Sequence, residues 1–267
     1  EVDRMLDFDA MCIEESKKYA TYMYTGERGT MGYFGFVGAV CVMAELEPGN
    51  HSPNDHVAER VASCLDVCAK AGVPMRKMRS DAAGYTADLF NLCEDKKRNV
   101  TFYIRARNDD AVGASVRATP SGDWTPEQVC MAHGKERTAL LADTAHAMQK
   151  TKNGFRLVVE RRQEEEADTE EVGGLLVRVP RVVTRHLAIA TNDHTSPKAD
   201  VVALYNRRQG CDEQGNDKLK NDVLLGALPC RGEHGFPANR VYGYLCAMLH
   251  NVAEWYKYDC LGKDEQT

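Results

Sequence analysis

Long apolar runs are missing from this 267-residue sequence. The longest, Phe34 to Ala44, is broken by glycines and falls far short of the roughly 20 residues that span a bilayer. No membrane segment is expected. The opening Glu1-Val2-Asp3-Arg4 has no apolar stretch behind it and does not read as a secretory signal. Paired metal-ligand cysteines are also lacking. There are 10 cysteines but no C-x-x-C, and the nearest pairings, Cys64/Cys68, Cys130/His133 and Cys246/His250, stand apart from one another. A structural zinc site needs four ligands, usually as two close pairs, so zinc is not expected. Cys64, Cys68 and Cys93 fall on apolar helical faces, which suits buried reduced thiols and a cytoplasmic location. An excess of positive charge is absent too: 34 Lys and Arg face 40 Asp and Glu, for a formal net charge of −6. That balance excludes a protein whose whole surface grips nucleic acid, because phosphate binding is largely electrostatic. It leaves room for a local basic groove. Gly26, Gly29, Gly32, Gly35 and Gly38 recur every third residue without the proline and sustained repeat of collagen, and read as tight turns and close strand packing.

What is present is a globular composition, 43% hydrophobic and 28% charged, with a mean hydropathy of −0.47. The length can bury a sizeable core, in one large domain or a domain with an insertion. Met5 to Ile13 reads as a strand with two embedded carboxylates, Tyr19 to Tyr33 as a second strand and turn, and Gly35 to Ala44 as a third strand. In Asn54 to Lys70, Val57, Val61, Cys64, Leu65 and Cys68 recur at helical spacing, and Gly72-Val73-Pro74 ends that helix. Met75 to Ser80 is a short strand, Thr86 to Lys96 helical, and Val100 to Ile104 a strand. The order strand, strand, strand, helix, strand, helix, strand defines a mixed α/β sheet and fits an RNase H-like core. Composition shifts at Arg107-Asn108-Asp109-Asp110. Residues 107–184 read as an inserted β-rich subdomain forming a separate lobe, with Gln163 to Glu166 as a solvated loop. The core resumes over 185–267, with a strand at Arg185 to Ala190 and a helical region from Ser196-Pro197 holding Tyr205 to Lys220. Ala238 to Tyr258 is an amphipathic helix expected to turn Val241, Leu245, Met248, Leu249 and Val252 inward.

Three acidic positions carry potential chemistry. Asp9 lies in an otherwise apolar strand, Asp81 where a strand hands over to a loop, and Glu213 near the start of a late helix. Phosphodiester attack assisted by two hard cations needs oxygen ligands converging from different elements. The bland alternative for a strand carboxylate is a hydrogen-bonded structural role.

The motifs around these positions occur in a recognisable order. Leu6-Asp7-Phe8-Asp9-Ala10 resembles the LDxDAT first-strand motif of DDE transposases of bacterial insertion sequences. Thr21 to Gly26 resembles their tYkG segment, Gly49-Asn50-His51-Ser52-Pro53 their GNxSP, and Met78 to Tyr85 their LRaDSAxY. Ala188 to Asn192 resembles AIATN, and Tyr205-Asn206 through Lys220 the YREK-type signature. Leu228-Pro229-Cys230 and His250 to Trp255 resemble LPC and hNiaxW. Met11 stands where that family has Thr. Tyr205 to Glu213 is one residue longer than the signature, and Gly215 and Asn216 replace apolar residues.

The resemblance implies an RNase H-like catalytic domain with a β-rich insertion between the second and third carboxylates. It implies Asp9, Asp81 and Glu213 as a triad for Mg²⁺ or Mn²⁺, with two ions, and Asp7 and Asp212 as the competing choices. Tyr205, Arg207, Arg208 and Lys220 become contacts to DNA phosphate. The implied activity is cleavage at transposon ends and strand transfer into double-stranded DNA, in a nucleoid-associated protein that could form a homodimer. Two other readings stay open: a catalytically silent remnant that binds DNA or dimerises, and a general RNase H-like nuclease without strand transfer. The region that usually recognises transposon ends is expected to be missing here. Weak, salt-dependent binding is therefore expected, centred on the basic residues near Glu213.

Overall fold

The computed structural model describes residues 5–130, 135–172, 175–210, 212–230 and 235–261, without the side chains of 166, 168–172, 175–179, 209–210 and 212–214. The chain runs β1 (Met5–Glu14), β2 (Thr21–Tyr22), β3 (Arg28–Val37), β4 (Val40–Pro48), α1 (Val57–Lys70), β5 (Lys77–Ser80), α2 (Ala87–Cys93), β6 (Thr101–Arg105), α3 (Asp110–Ala118), β7 (Thr125–Cys130), β8 (Glu136–His146), β9 (Phe155–Val172), β10 (Leu175–Thr191), α4 (Lys198–Asn206), α5 (Asp212–Asn221) and α6 (Phe236–Cys260). Ten strands form one mixed sheet in the order β2-β3-β1-β5-β6-β10-β9-β8-β7, with β4 also on β3. β1, β5 and β6 are mutually parallel and the other pairings are antiparallel.

Strand alternation sends successive residues of β1 to opposite faces. Leu6 and Phe8 enter the main core with Val61, Leu65 and Phe90 of α1 and α2 and Phe102 and Ile104 of β6. Met5 and Ile13 join smaller clusters on the other face, under α4 and under α5 and α6 respectively. Cys64, Cys68 and Cys93 are buried and unbridged, and burial pushes the Cys64 thiol up to about 12.

The expected third strand, Gly35 to Ala44, is instead a hairpin. Val37 pairs with Val40 across Gly38-Ala39. Gly38 takes φ +59°, the positive backbone angle that tight hairpin turns require. The stretch 107–184 is β-rich but does not form a sheet of its own. β10 pairs with core strand β6, β9 with β10, β8 with β9 and β7 with β8, so the expected separate lobe is an extension of the core sheet. The acidic run Gln163 to Glu166 is strand, not loop, paired with the largely β-branched Arg181 to Thr184. β8 reaches β9 only up to Arg161, and β6 reaches β10 only from Ile189. Beyond those points β9 and β10 pair only with each other, as a two-stranded ribbon.

α6 is the largest correction. Val241, Leu245, Met248, Leu249 and Val252 are exposed, at 56% to 63% relative accessibility. The buried residues are Asn239, Gly243, Cys246, Ala247 and His250. Polar bonds set this phase: Asn251 accepts from Cys41 N–H at 2.8 Å and donates to Cys41 C=O at 2.7 Å, satisfying the backbone of edge strand β4. The Nε2 of His250 lies 2.9 Å from Ala39 O. A Cβ on Gly243 would come within 2.9 Å of Leu46 Cδ1, so the glycine lets α6 lie close against β4. Among the described residues, no helix is long and apolar enough to cross a membrane.

Candidate active site

Two aspartates of β1 share one face of the sheet. Asp7 is buried, and its carboxylate accepts both Nε and Nη2 of Arg79 at 2.6 Å. Arg79 lies directly across on β5 and its Nη1 donates to Leu204 O at 2.7 Å, pinning α4 to the sheet. Asp7, the competing choice for the first carboxylate, is therefore the centre of a structural clamp with no oxygen turned to a cleft.

Asp9, one step further along the strand, is half-buried. Its Oδ1 accepts from Arg208 Nη2 at 2.7 Å and its Oδ2 from Asn216 Nδ2 at 2.7 Å. Phe8 pairs with Ser80 in the parallel register, so Asp9 stands level with Asp81, the residue after β5. Neighbouring strands lie about 4.8 Å apart, which brings the two carboxyl-bearing positions side by side. Asp81 is fixed locally: its Oδ1 accepts from Ala83 N–H at 2.9 Å and caps the short turn Ala82–Gly84. The register continues to β6, where Ser80 pairs with Ile104, so Asp81 stands level with Arg105. Asp9, Asp81 and Arg105 thus form a row across three parallel strands, on the face under α4 and α5.

Tyr205 at the end of α4 closes over this row. Burial raises its hydroxyl pKa, the Arg208 guanidinium opposes that rise, Asp81 adds to it and Arg105 opposes it. Tyr24 also feels Asp81: burial, then the neighbouring Cys12, then Asp81 raise its pKa. Lys220, exposed in the last turn of α5, acts on Cys12 of β1. Of the residues expected here, Asp9, Asp81, Tyr205 and Arg208 are brought together, and Lys220 borders them. Arg207 is exposed in the turn before α5 and, among the described residues, is not drawn into the row. Glu213 falls in the first turn of α5; its side chain, and that of Asp212, lie outside the described residues.

Asn216 is a site residue that sequence reasoning took only as a weakness of the helix. Gly215 is its companion: a Cβ there would lie 2.9 Å from Phe36 Cε1, so the glycine lets α5 approach the sheet closely enough for Asn216 to reach Asp9. The available signal was phase, since Gly215, Asn216 and Leu219 together form the buried side of α5. Among the described residues there is no cluster of three or more acidic, His or Cys side chains suited to a metal ion. The donors present, Asp9 and Asp81, are oxygen-only and level with each other, the donor chemistry that Mg²⁺ and Mn²⁺ favour. Each carboxylate oxygen can accept more than one bond, so Arg208 and Asn216 do not exhaust Asp9.

No family model matches the sequence, and no curated protein matches it. Among solved structures, the chain is similar to the piggyBac transposase in a cryo-electron-microscopy synaptic complex with hairpin DNA. The TM-score is 0.54 at 10% identity, covering 98% of this chain and 50% of that one. This chain thus spans about half the length of that transposase. At such identity the likeness is one of fold: a large mixed sheet flanked by helices, shared with a transposase.

Proposed function

We propose that this chain is the catalytic core of a DDE-type transposase, with an RNase H-like sheet and the YREK-type signature of bacterial insertion sequences. The observation that carries this reading is the level placement of Asp9 and Asp81 on adjacent parallel strands beneath Arg208 and Tyr205. The fold likeness to a DNA-bound transposase supports it. Glu213 is the third carboxylate of this proposal. It occupies a position one helical turn before Asn216, whose side chain reaches Asp9.

In cleavage, a water oxygen attacks phosphorus and the P–O3′ bond breaks, leaving a 3′-hydroxyl and a 5′-phosphate. In joining, that 3′-hydroxyl attacks a phosphorus of target DNA and displaces another 3′-oxygen. Divalent ions bound to the carboxylates would supply nucleophile activation and charge neutralisation for both steps. The chain's own residues orient and neutralise. Arg208 and Asn216 fix the rotamer of Asp9, and the turn at Ala83 fixes Asp81. Arg208, Tyr205 and Lys220 face the phosphate, where fixed donors stabilise charge that develops in the transition state.

The experiment is incubation with Mg²⁺ or Mn²⁺ and a duplex carrying a pre-cut 3′-hydroxyl end. Joined products are expected. Nicking without joining would instead support a general nuclease. A second reading has its own observation: both Asp9 oxygens already hold protein donors. That arrangement also suits a silent remnant that binds DNA, for which neither nicking nor joining would occur with any divalent ion.

A further inference from the structure

A second feature continues from the carboxylate row. The residue after Asp81, Ala82, lines a cleft of about 720 Å³ between the end of β6, one side of α3 and the base of the β9–β10 ribbon. Five arginines line it, Arg105, Arg107, Arg117, Arg162 and Arg185, against one acidic residue, Glu164. In a chain of net charge −6 that concentration is not a consequence of composition. Two of the five are answered locally: Arg162 bonds Glu160 at 2.7 Å and 3.1 Å, and Arg185 bonds Glu164 at 3.0 Å. Arg105, Arg107 and Arg117 make no salt bridge among the described residues, and all three are exposed. Three like charges around one cleft raise the energy of the empty state and are offset when a polyanion enters.

Continuity selects the kind of anion. Arg107 Nε donates to Ala82 O at 3.3 Å, one residue from Asp81, and Arg105 is level with Asp81 across the sheet. Successive phosphates of one DNA strand rise about 3.4 Å each, so a phosphodiester held at Asp81 carries its neighbours into the adjoining cleft. A small isolated anion would need one converging pocket, whereas these arginines extend from β6 to α3. We infer that this cleft is the track for the DNA strand flanking the scissile phosphate, with Arg105, Arg107 and Arg117 as its phosphate contacts. The inference rests on Asp9 and Asp81 being the reacting centre. It moves the main basic surface from the Glu213 region to the β6–α3 side of the site.

The test is a salt titration of duplex DNA affinity for the full chain, for Arg107→Glu/Arg117→Glu, and for Lys96→Glu/Lys97→Glu. The last is an exposed control pair with the same change in net charge. Losing two phosphate contacts lowers the slope of log affinity against log salt by about 1.8 and weakens binding at least roughly tenfold at 0.1 M salt. The control pair should shift both far less. Arg107→Gln/Arg117→Gln gives the same reading should the reversed charges disturb folding. Equal losses in the cleft and control pairs would overturn the inference, as would absence of duplex binding by the unaltered chain. Cutting by the unaltered chain separates the two ideas. Cleft-dependent binding without divalent-ion-dependent cutting would sink the enzymatic reading and leave the cleft standing. Cutting that requires Asp81 but ignores the cleft pair would do the reverse.

Discussion

Asp7 and Asp9 sit two residues apart on the same face of the same strand in different surroundings. Asp7 is 1% exposed, its charge answered in full by the fork of Arg79, itself 4% exposed. Asp9 is half-buried, held by one guanidinium nitrogen and one amide, level with a second carboxylate at the end of the next strand. A buried ion pair that also anchors Leu204 and α4 is architecture. A partly buried carboxylate level with a second one beyond the neighbouring strand is unfavourable without counter-charge nearby. The difference shows how one motif can carry a fully buried, ion-paired aspartate and a partly exposed one side by side.

The largest effect is expected at the clamp. Asp7→Asn leaves Arg79 as an uncompensated buried charge, and such losses cost about 3–5 kcal/mol. Chemical denaturation of the variant should show it. Because well-packed apolar pairs replace buried ion pairs with little loss, Asp7→Leu combined with Arg79→Met should recover much of that stability. An undiminished midpoint in Asp7→Asn would erase the contrast between the two aspartates.

A third aspartate sharpens it. Asp193 follows β10 and is answered by hydrogen bonds rather than by a cation. It accepts from the Ser196 hydroxyl at 2.6 Å, the Tyr103 hydroxyl at 2.9 Å and the Thr195 and Ser196 N–H groups at 3.0 Å. Burial alone would raise its pKa; these donors outweigh burial and hold it well below the ordinary carboxylate range. A depressed folded pKa contributes stability in full above the unfolded value of about 3.9, and that contribution is lost as pH falls below it. The drop in thermal midpoint between pH 6 and pH 3 should therefore be smaller in Asp193→Asn than in the unaltered chain. Equal drops would show that these donors do not hold the Asp193 carboxylate below the ordinary range.

The smallest effect is expected at Asn216. Asn216→Ala removes one amide donor from the Asp9 carboxylate and should cost about 1.5–3 kcal/mol of stability. It should leave the Arg208 contact in place and slow any cutting that depends on the Asp9 rotamer. A loss as large as that at Asp7 would mean that Asn216 belongs to the structural clamp.

Much of the central sheet could be read from the chain because local patterns and packing agree there. α1, β5 and α2 fall within the expected segments and β1 and β6 overrun theirs by one residue, since their apolar periods match the faces they bury. Agreement failed where a polar bond or a close approach overrode hydrophobic phase. In α6 the Asn251 bonds to Cys41 and the tight fit of Gly243 on Leu46 turn the apolar stripe outward. In 107–184 the composition suggested a lobe, but sheet pairing is long-range and has no compositional mark. For the candidate site, motif order nominated Asp9, Asp81, Tyr205 and Arg208, which the fold places near one another. The cleft arginines were not nominated, because Arg105, Arg117 and Arg185 come from three elements that meet only in the fold.

The most direct measurement is divalent-ion-dependent nicking of duplex DNA by the unaltered chain, Asp9→Asn and Asp81→Asn, with each variant's unfolding midpoint determined in parallel. Nicking by the unaltered chain, and its loss in both variants at near-unchanged stability, is the expected result. Nicking that persists in Asp81→Asn, or a chain that never nicks under Mg²⁺ or Mn²⁺, would contradict the assignment of this row as an active site.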